Sequence, residues 1–230
     1  MKKESKRYKK LIESVKNKKI DTIDTIIGTL KNNANAKFLE SIDLSFKINL
    51  KKIKTADSSL RSVIELPHGN GKKIKIGVLC DENKLSDAKK SGAEVIGSED
   101  LLKKISSGKI EFDKLICTPS MMAKVGKFGK ILGPKGLMPN PKTGTVTMDI
   151  AKAVAEVKAG KIEFRVEKNG IIHNNIGKVS FSKGKIVENA RVFLEAILKA
   201  KPQAAKGIYM KKVTISSTMG PGIKLDQSSI

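Results

Sequence analysis

The sequence is poor in the residues that build disulfide scaffolds, metal centres and aromatic pockets. Cysteine occurs twice in 230 residues, histidine twice and tryptophan not at all, and aromatics make up 4% of the chain. Cys80 and Cys117 belong to no C-x-x-C pair, and two thiols cannot make a disulfide framework. Each ends an apolar run, which predicts a small buried core residue and fits a reducing compartment. His68 and His173 have no neighbour at ligand spacing such as H-E-x-x-H, so no metal site is expected and both read as turn or surface residues. No apolar run approaches 18 residues, and the opening MKKESKRYKKLIESVKNKK has no apolar stretch of signal-peptide length. The expectation is a soluble, cytoplasmic protein with no membrane partner.

Acid is scarce as well. There are 46 Lys plus Arg against 23 Asp plus Glu, a net charge of +23. All but four of the basic residues are lysine, which codon bias alone would explain, but the shortage of acids is harder to dismiss. A chain that repels itself this strongly is best stabilised by a polyanion, and nucleic acid is the foremost candidate, ahead of an acidic protein or a membrane surface. With 39% apolar residues the chain can bury a core of one large or two ordinary domains.

Hydrophobic periodicity divides the chain. Residues 5–19 place Tyr8, Leu11, Ile12 and Val15 at helical spacing with lysines opposite, and Thr22 is placed to cap a second helix bearing Ile23, Ile26, Ile27 and Leu30. Residues 42–50 then alternate apolar and polar, as in a strand with one wet face. From Pro67 to about Gly160, nearly continuous apolar strands (74–80, 94–96 and 114–118) alternate with helices, among them one capped by Ser98 and one opened by Asp149, the pattern of a parallel sheet covered on both faces. After Gly160 the half-wet pattern returns, with Asn169-Gly170 predicting a tight hairpin, a long amphipathic helix stopped by Pro202, and two final strands around Thr218–Gly222. The expected fold is α/β in two domains. Residues 1–66 and 160–230 would form a discontinuous two-layer domain with a mainly antiparallel sheet. Residues 67–159 would form an inserted Rossmann-like three-layer domain with a parallel sheet. Basic and acidic residues number 16 and 8 in 1–66, 17 and 10 in 67–159, and 13 and 5 in 160–230. The discontinuous domain would therefore carry +16 and be the better anion-binding surface.

Three clusters stand out. Residues 126–144, GKFGKILGPKGLMPNPKTG, hold five glycines, three prolines and four lysines with no acid, which reads as a basic, proline-stiffened loop. It is not a Walker A motif, since no Gly-Lys-Ser/Thr triplet occurs. In AKFLES, Phe38 is either a core residue or an aromatic that stacks on a base or sugar. In SSTMGPG, hydroxyls can donate to phosphate or ribose while the glycines allow close backbone approach, although an ordinary turn has the same composition. The chain contains no G-x-S-x-G elbow, no Rossmann G-x-G-x-x-G and no evident acid pair, so no enzyme activity and no cofactor are expected. An enzyme acting on a nucleotide and a regulatory DNA-binding protein are the rival classes.

Five ordered blocks together resemble one family: AKFLESIDL at 36–44, LPHGNGK at 66–72, GKILGPKGLMPNPKTGTV at 129–146, KAGKIEFRVEKNGIIHNNIGK at 158–178 and KGIYMKKVTISSTMGPG at 206–222. The chain is similar to the large-subunit ribosomal protein L-one family, in its bacterial form, the protein of the mobile ribosomal stalk. The resemblance implies a structural constituent of the large ribosomal subunit that binds the stalk helices of large-subunit ribosomal RNA. It also implies assistance in the release of deacylated tRNA from the exit site and repression of translation through the protein's own operon mRNA. It implies RNA contacts at Lys37, Phe38, Glu40, Lys168, Thr218, Met219 and Gly220, with secondary contacts at Lys130, Lys135 and Lys142. The expected location is the ribosome, with a monomer outside it.

Overall fold

The computed structural model describes residues 5–16, 22–49, 61–167, 169–202 and 207–226. They fall into two compact units, one within 1–71 and 162–230 and the other within 72–161. Helix α1 (Lys6–Lys16) buries Leu11 and lays Val15 against the first unit's core. The rest of the predicted first helix, residues 17–19, lies outside the described residues. Helix α2 (Ile23–Asn33) buries the stripe Ile23, Ile26, Ile27 and Leu30. Thr22 is extended, as an N-cap residue should be, but its hydroxyl meets the Thr25 hydroxyl at 3.0 Å and no backbone N–H. Strand β1 (Ser41–Ile48) sends Ile42, Leu44, Phe46 and Ile48 to one side, the period of two that its sequence requires. Strand β2 (Arg61–Glu65) follows.

In the second unit, β3 (Ile76–Leu79), β4 (Val95–Gly97) and β5 (Lys114–Cys117) form a parallel sheet in the order β4-β3-β5. Both faces are dry. Ile76, Val78, Cys80 and Ile116 point into one apolar cluster, while Leu79, Leu115 and Cys117 point into another. Helices α3 (Leu85–Lys90) and α7 (Ile150–Ala159) contribute to the first of these clusters. Helices α4 (Glu99–Ser106), α5 (Pro119–Gly126) and α6 (Gly129–Leu132) contribute to the second. Gly77 is needed here for close approach, because a Cβ at that position would lie 2.8 Å from the Phe112 ring. Ser98 precedes α4 without donating or accepting a side-chain cap bond. Residues 126–144 are not the open loop predicted. Leu132, Pro139 and Thr143 are buried, Leu137 and Met138 pack on the core, and the segment winds into α6 and a short 3-10 turn. Its apolar residues were dictating packing, while its lysines face outward.

The chain returns to the first unit with β6 (Lys161–Arg165), β7 (Ile171–Lys178), helix α8 (Lys183–Lys199), β8 (Met210–Ser217) and β9 (Ile223–Lys224). Strands β7-β1-β8-β9 make an antiparallel sheet, and β2 pairs with β6 in a second, two-stranded one. The Asn169-Gly170 turn closes tightly, with Glu167 N–H donating to the Ile171 carbonyl and Gly170 N–H to the Glu167 carbonyl, each at 2.9 Å, but β6 and β7 continue into different sheets. Gly170 takes a φ of 72°, and among the described residues no non-glycine has positive φ, so a type I′ turn is not formed. The stripes of α2 and α8 cover the apolar face of the main sheet, where Phe193 meets Phe46 at 5.3 Å and Phe164 edge-on at 5.9 Å. The described residues form a mixed α/β protein with both antiparallel and parallel sheets.

Candidate nucleic-acid interface

Antiparallel pairing sets the geometry of this site. Because β1 and β8 run in opposite directions with Ile42 opposite Ser217, the residues entering β1 and those leaving β8 meet at the same end of the sheet, although they lie far apart in sequence. Two of the three clusters singled out in the sequence, Lys37–Ser41 and Ser217–Gly220, are thereby brought together. Thr218 continues the ladder past the strand end: its N–H donates to the Ser41 carbonyl at 3.0 Å, and its hydroxyl accepts from the Ser41 N–H at 2.9 Å. Gly220 N–H turns back to the Ser217 carbonyl at 3.2 Å.

Glu40 lies at the centre of this junction. Its side chain is 2% exposed, and its two oxygens accept from the Ala36 N–H at 3.2 Å and the Met219 N–H at 3.1 Å. Burial pushes its carboxyl pKa up, but the bonds from Met219 N–H, the Ser217 hydroxyl and Ala36 N–H, with the nearby Arg7 charge, outweigh burial and hold it below the usual carboxylate range. From α1, Arg7 donates through Nη2 to the Met219 carbonyl at 2.7 Å. Gly220 is the residue that fits beside this network, since a Cβ there would lie 2.5 Å from Ser217 Oγ.

What faces outward is mainly apolar with a basic flank. Phe38, Leu39 and Met219 are 53%, 52% and 51% exposed, and Lys37 is exposed beside them. Of the two readings open for Phe38, the structure excludes the core one. Two of the hydroxyls predicted to donate to phosphate or ribose are engaged within the protein: Ser217 is buried against Glu40, and Thr218, though exposed, is bonded to Ser41. Glu40 likewise faces inward, where it orders the turn. Such a surface is suited to packing and stacking against sugars and bases, with charge supplied from its rim.

The remaining predicted residues are not among those the described junction brings together. Lys168 lies outside the described residues. Its neighbours Glu167 and Asn169 precede β7, whose first residue, Ile171, pairs with Lys47 at the opposite end of β1, about 20 Å along the strand. Lys130, Lys135 and Lys142 are exposed on the second unit. Sequence reasoning gave no role to Leu39, which is 52% exposed, or to Arg7, whose bond spans 212 residues and leaves no local signature. His68 meets Glu188 at 2.5 Å, and His173 stands 3.5 Å from Glu167. Among the described residues no group of three or more His, Cys, Asp or Glu could hold a metal ion, and no helix is long and apolar enough to cross a membrane.

The blocks that build this junction, from the approach to β1 through the turn after β8, also lie almost wholly inside a single family match. The profile of the Ribosomal protein L1p/L10e family covers residues 30–221, most of the 230-residue sequence, and the chain belongs to that family.

Proposed function

We propose that this protein is a structural constituent of the large ribosomal subunit, binding the stalk helices of large-subunit ribosomal RNA through the Lys37–Ser41 and Ser217–Gly220 junction. Members of the family are structural RNA-binding proteins and not enzymes, and this chain is not an enzyme. On this reading, residues 1–66 and 160–230 are the RNA-binding domain and residues 67–159 a Rossmann-like insert. The observation that carries the reading is the combination of exposed Phe38 and Met219 with a backbone held rigid beneath them by Glu40, Thr218 and Ser41. A preorganised face loses little entropy on binding and can read RNA shape, and the net charge of +23 speeds encounter. Lys37 and Lys168 would add phosphate contacts, and Lys130, Lys135 and Lys142 a secondary basic surface. In the assembled subunit the protein would ride the stalk and help deacylated tRNA leave the exit site. As a cytoplasmic monomer outside the ribosome it would bind a stalk-like hairpin in its own mRNA and repress translation.

A filter-binding titration of stalk RNA in competition with duplex DNA at moderate salt tests this. RNA should win, and Phe38→Ala and Met219→Ala should each weaken RNA binding by about 1–3 kcal/mol with the melting temperature unchanged. Equal affinity for the two nucleic acids, or variants that bind as wild type does, would defeat the reading.

A further inference from the structure

The direction of the Met219 side chain is set by two peptide groups, and both are held by side chains from distant parts of the chain. The peptide before Met219 offers its N–H to Glu40 at 3.1 Å. The peptide after it offers its carbonyl to Arg7 at 2.7 Å and its N–H, that of Gly220, to the Ser217 carbonyl at 3.2 Å. With both planes fixed, φ and ψ of Met219 are fixed, and so is its Cα–Cβ bond. Peptides in exposed turns otherwise flip at little cost, because water satisfies the carbonyl in either orientation. We propose that Arg7 is a positioning residue of the RNA-binding face: by holding the Met219 carbonyl, it makes the presentation of Met219 depend on the docking of α1.

The inference rests on the reading of this junction as the RNA-binding face. Helix α1 is suited to the task because Leu11 is buried and Val15 packs on the core, which anchors the helix that carries Arg7. Ser14 Oγ also accepts from Asn33 Nδ2 on α2 at 3.4 Å, a second tie between α1 and the body. Arginine fits because its charge-assisted bond to a carbonyl is stronger than a neutral one, and because its charge favours the ionised Glu40 that holds the neighbouring peptide.

The test compares wild type, Arg7→Ala, Arg7→Lys and, as a control for charge on the same helix, Lys10→Ala, which alters an exposed residue of α1. Two quantities are read: amide hydrogen exchange at Met219 and Gly220 in the RNA-free protein, and affinity for a stalk hairpin across a salt series. Arg7→Ala should speed exchange at both amides and weaken RNA binding roughly tenfold, with the same salt slope as Lys10→Ala. Arg7→Lys should recover protection and affinity together. Unchanged exchange in Arg7→Ala overturns the proposal. So does an affinity loss in which the salt slope flattens beyond that of Lys10→Ala, which would mark a direct phosphate contact. Recovery of affinity in Arg7→Lys without recovery of protection would do the same. If wild type itself ignores stalk RNA, the functional reading fails, and the exchange data still decide whether Arg7 holds the turn.

Discussion

At the scale of single residues, Glu40 shows how a charge can be buried in a protein short of acid. Its carboxylate has two backbone N–H donors and a hydroxyl around it, so the ionised form is the stable one in spite of burial. A carboxyl whose folded pKa lies below its unfolded value contributes stability that is fully present above the unfolded value. That stability is lost as pH falls through the lower, folded one. The stability difference between wild type and Glu40→Gln should therefore be constant from neutrality into mild acid and shrink only beneath the ordinary carboxylate range, as denaturant titrations at several pH values would show. At neutral pH the substitution should cost about 1–3 kcal/mol, because an amide cannot accept from both N–H groups with the same strength. The cysteines give a second prediction. Burial pushes the Cys117 thiol up to about 11 and raises Cys80 as well, so neither forms thiolate at neutral pH. Iodoacetamide should leave both unmodified in the native protein and alkylate both in denaturant, read by mass. Their burial was legible in the runs IGVLC and KLIC, whereas the inward turn of Glu40 was not, because two of its donors, the Met219 N–H and the Ser217 hydroxyl, come from the end of the paired strand β8.

Among elements, the turn after β8 and the loop after β2 illustrate how polar groups fix irregular backbone. Gly220→Ala places a Cβ 2.5 Å from Ser217 Oγ, and that hydroxyl also bonds Glu40, so relief of the clash loosens the carboxylate. The variant should melt near wild type but bind stalk RNA at least several-fold more weakly, in a paired calorimetric and filter-binding measurement. Asn189 on α8 is fully buried. It accepts from His68 N–H at 3.2 Å and donates to the carbonyls of Gly69 and Ile176, each at 2.9 Å. It thereby ties the LPHGNGK loop to α8 and β7. Asn189→Ala should cost about 1–3 kcal/mol in urea unfolding, since these backbone groups would stay buried with one partner fewer. Strand periodicity made the antiparallel and the parallel kind of sheet visible in advance, but not the separate pairing of β2 with β6. At Asn169-Gly170 the turn signal marked the reversal, but it does not say which sheet each flanking strand then joins.

For the whole molecule, the main physical fact is that the three apolar clusters divide cleanly. Among the described residues, the buried members of one come from 23–66 and 162–225, and those of the other two from 76–157. A chain in which residues 72–161 give way to a short Gly/Ser linker should therefore fold cooperatively and keep its affinity for the stalk hairpin. A folded product that ignores the hairpin would argue against the proposed face. In the full chain, Lys130→Ala, Lys135→Ala and Lys142→Ala should act mainly through salt, each flattening the dependence of log K on log salt by about 0.7–0.9 if the lysine meets a phosphate and not at all if it does not.

The amino-acid order by itself determined most of the elements and the two kinds of sheet, though not the winding of residues 126–144 into α6 and a 3-10 turn. Apolar residues at period two or 3.6 must face something dry, and the change from half-wet to fully apolar strands and back marks where one sheet type gives way to the other. It also marked the chemistry of the candidate face, through Phe38, Met219 and the glycines around them. Only the tertiary structure decided which of those groups remain free to meet a partner. Ser217 and Glu40 turned inward, the Thr218 hydroxyl was taken up by Ser41, and Arg7 joined them from the opposite end of the chain, because hydrogen-bond partners are chosen by proximity in space, and strand pairing sets that proximity across nearly the full length of the sequence.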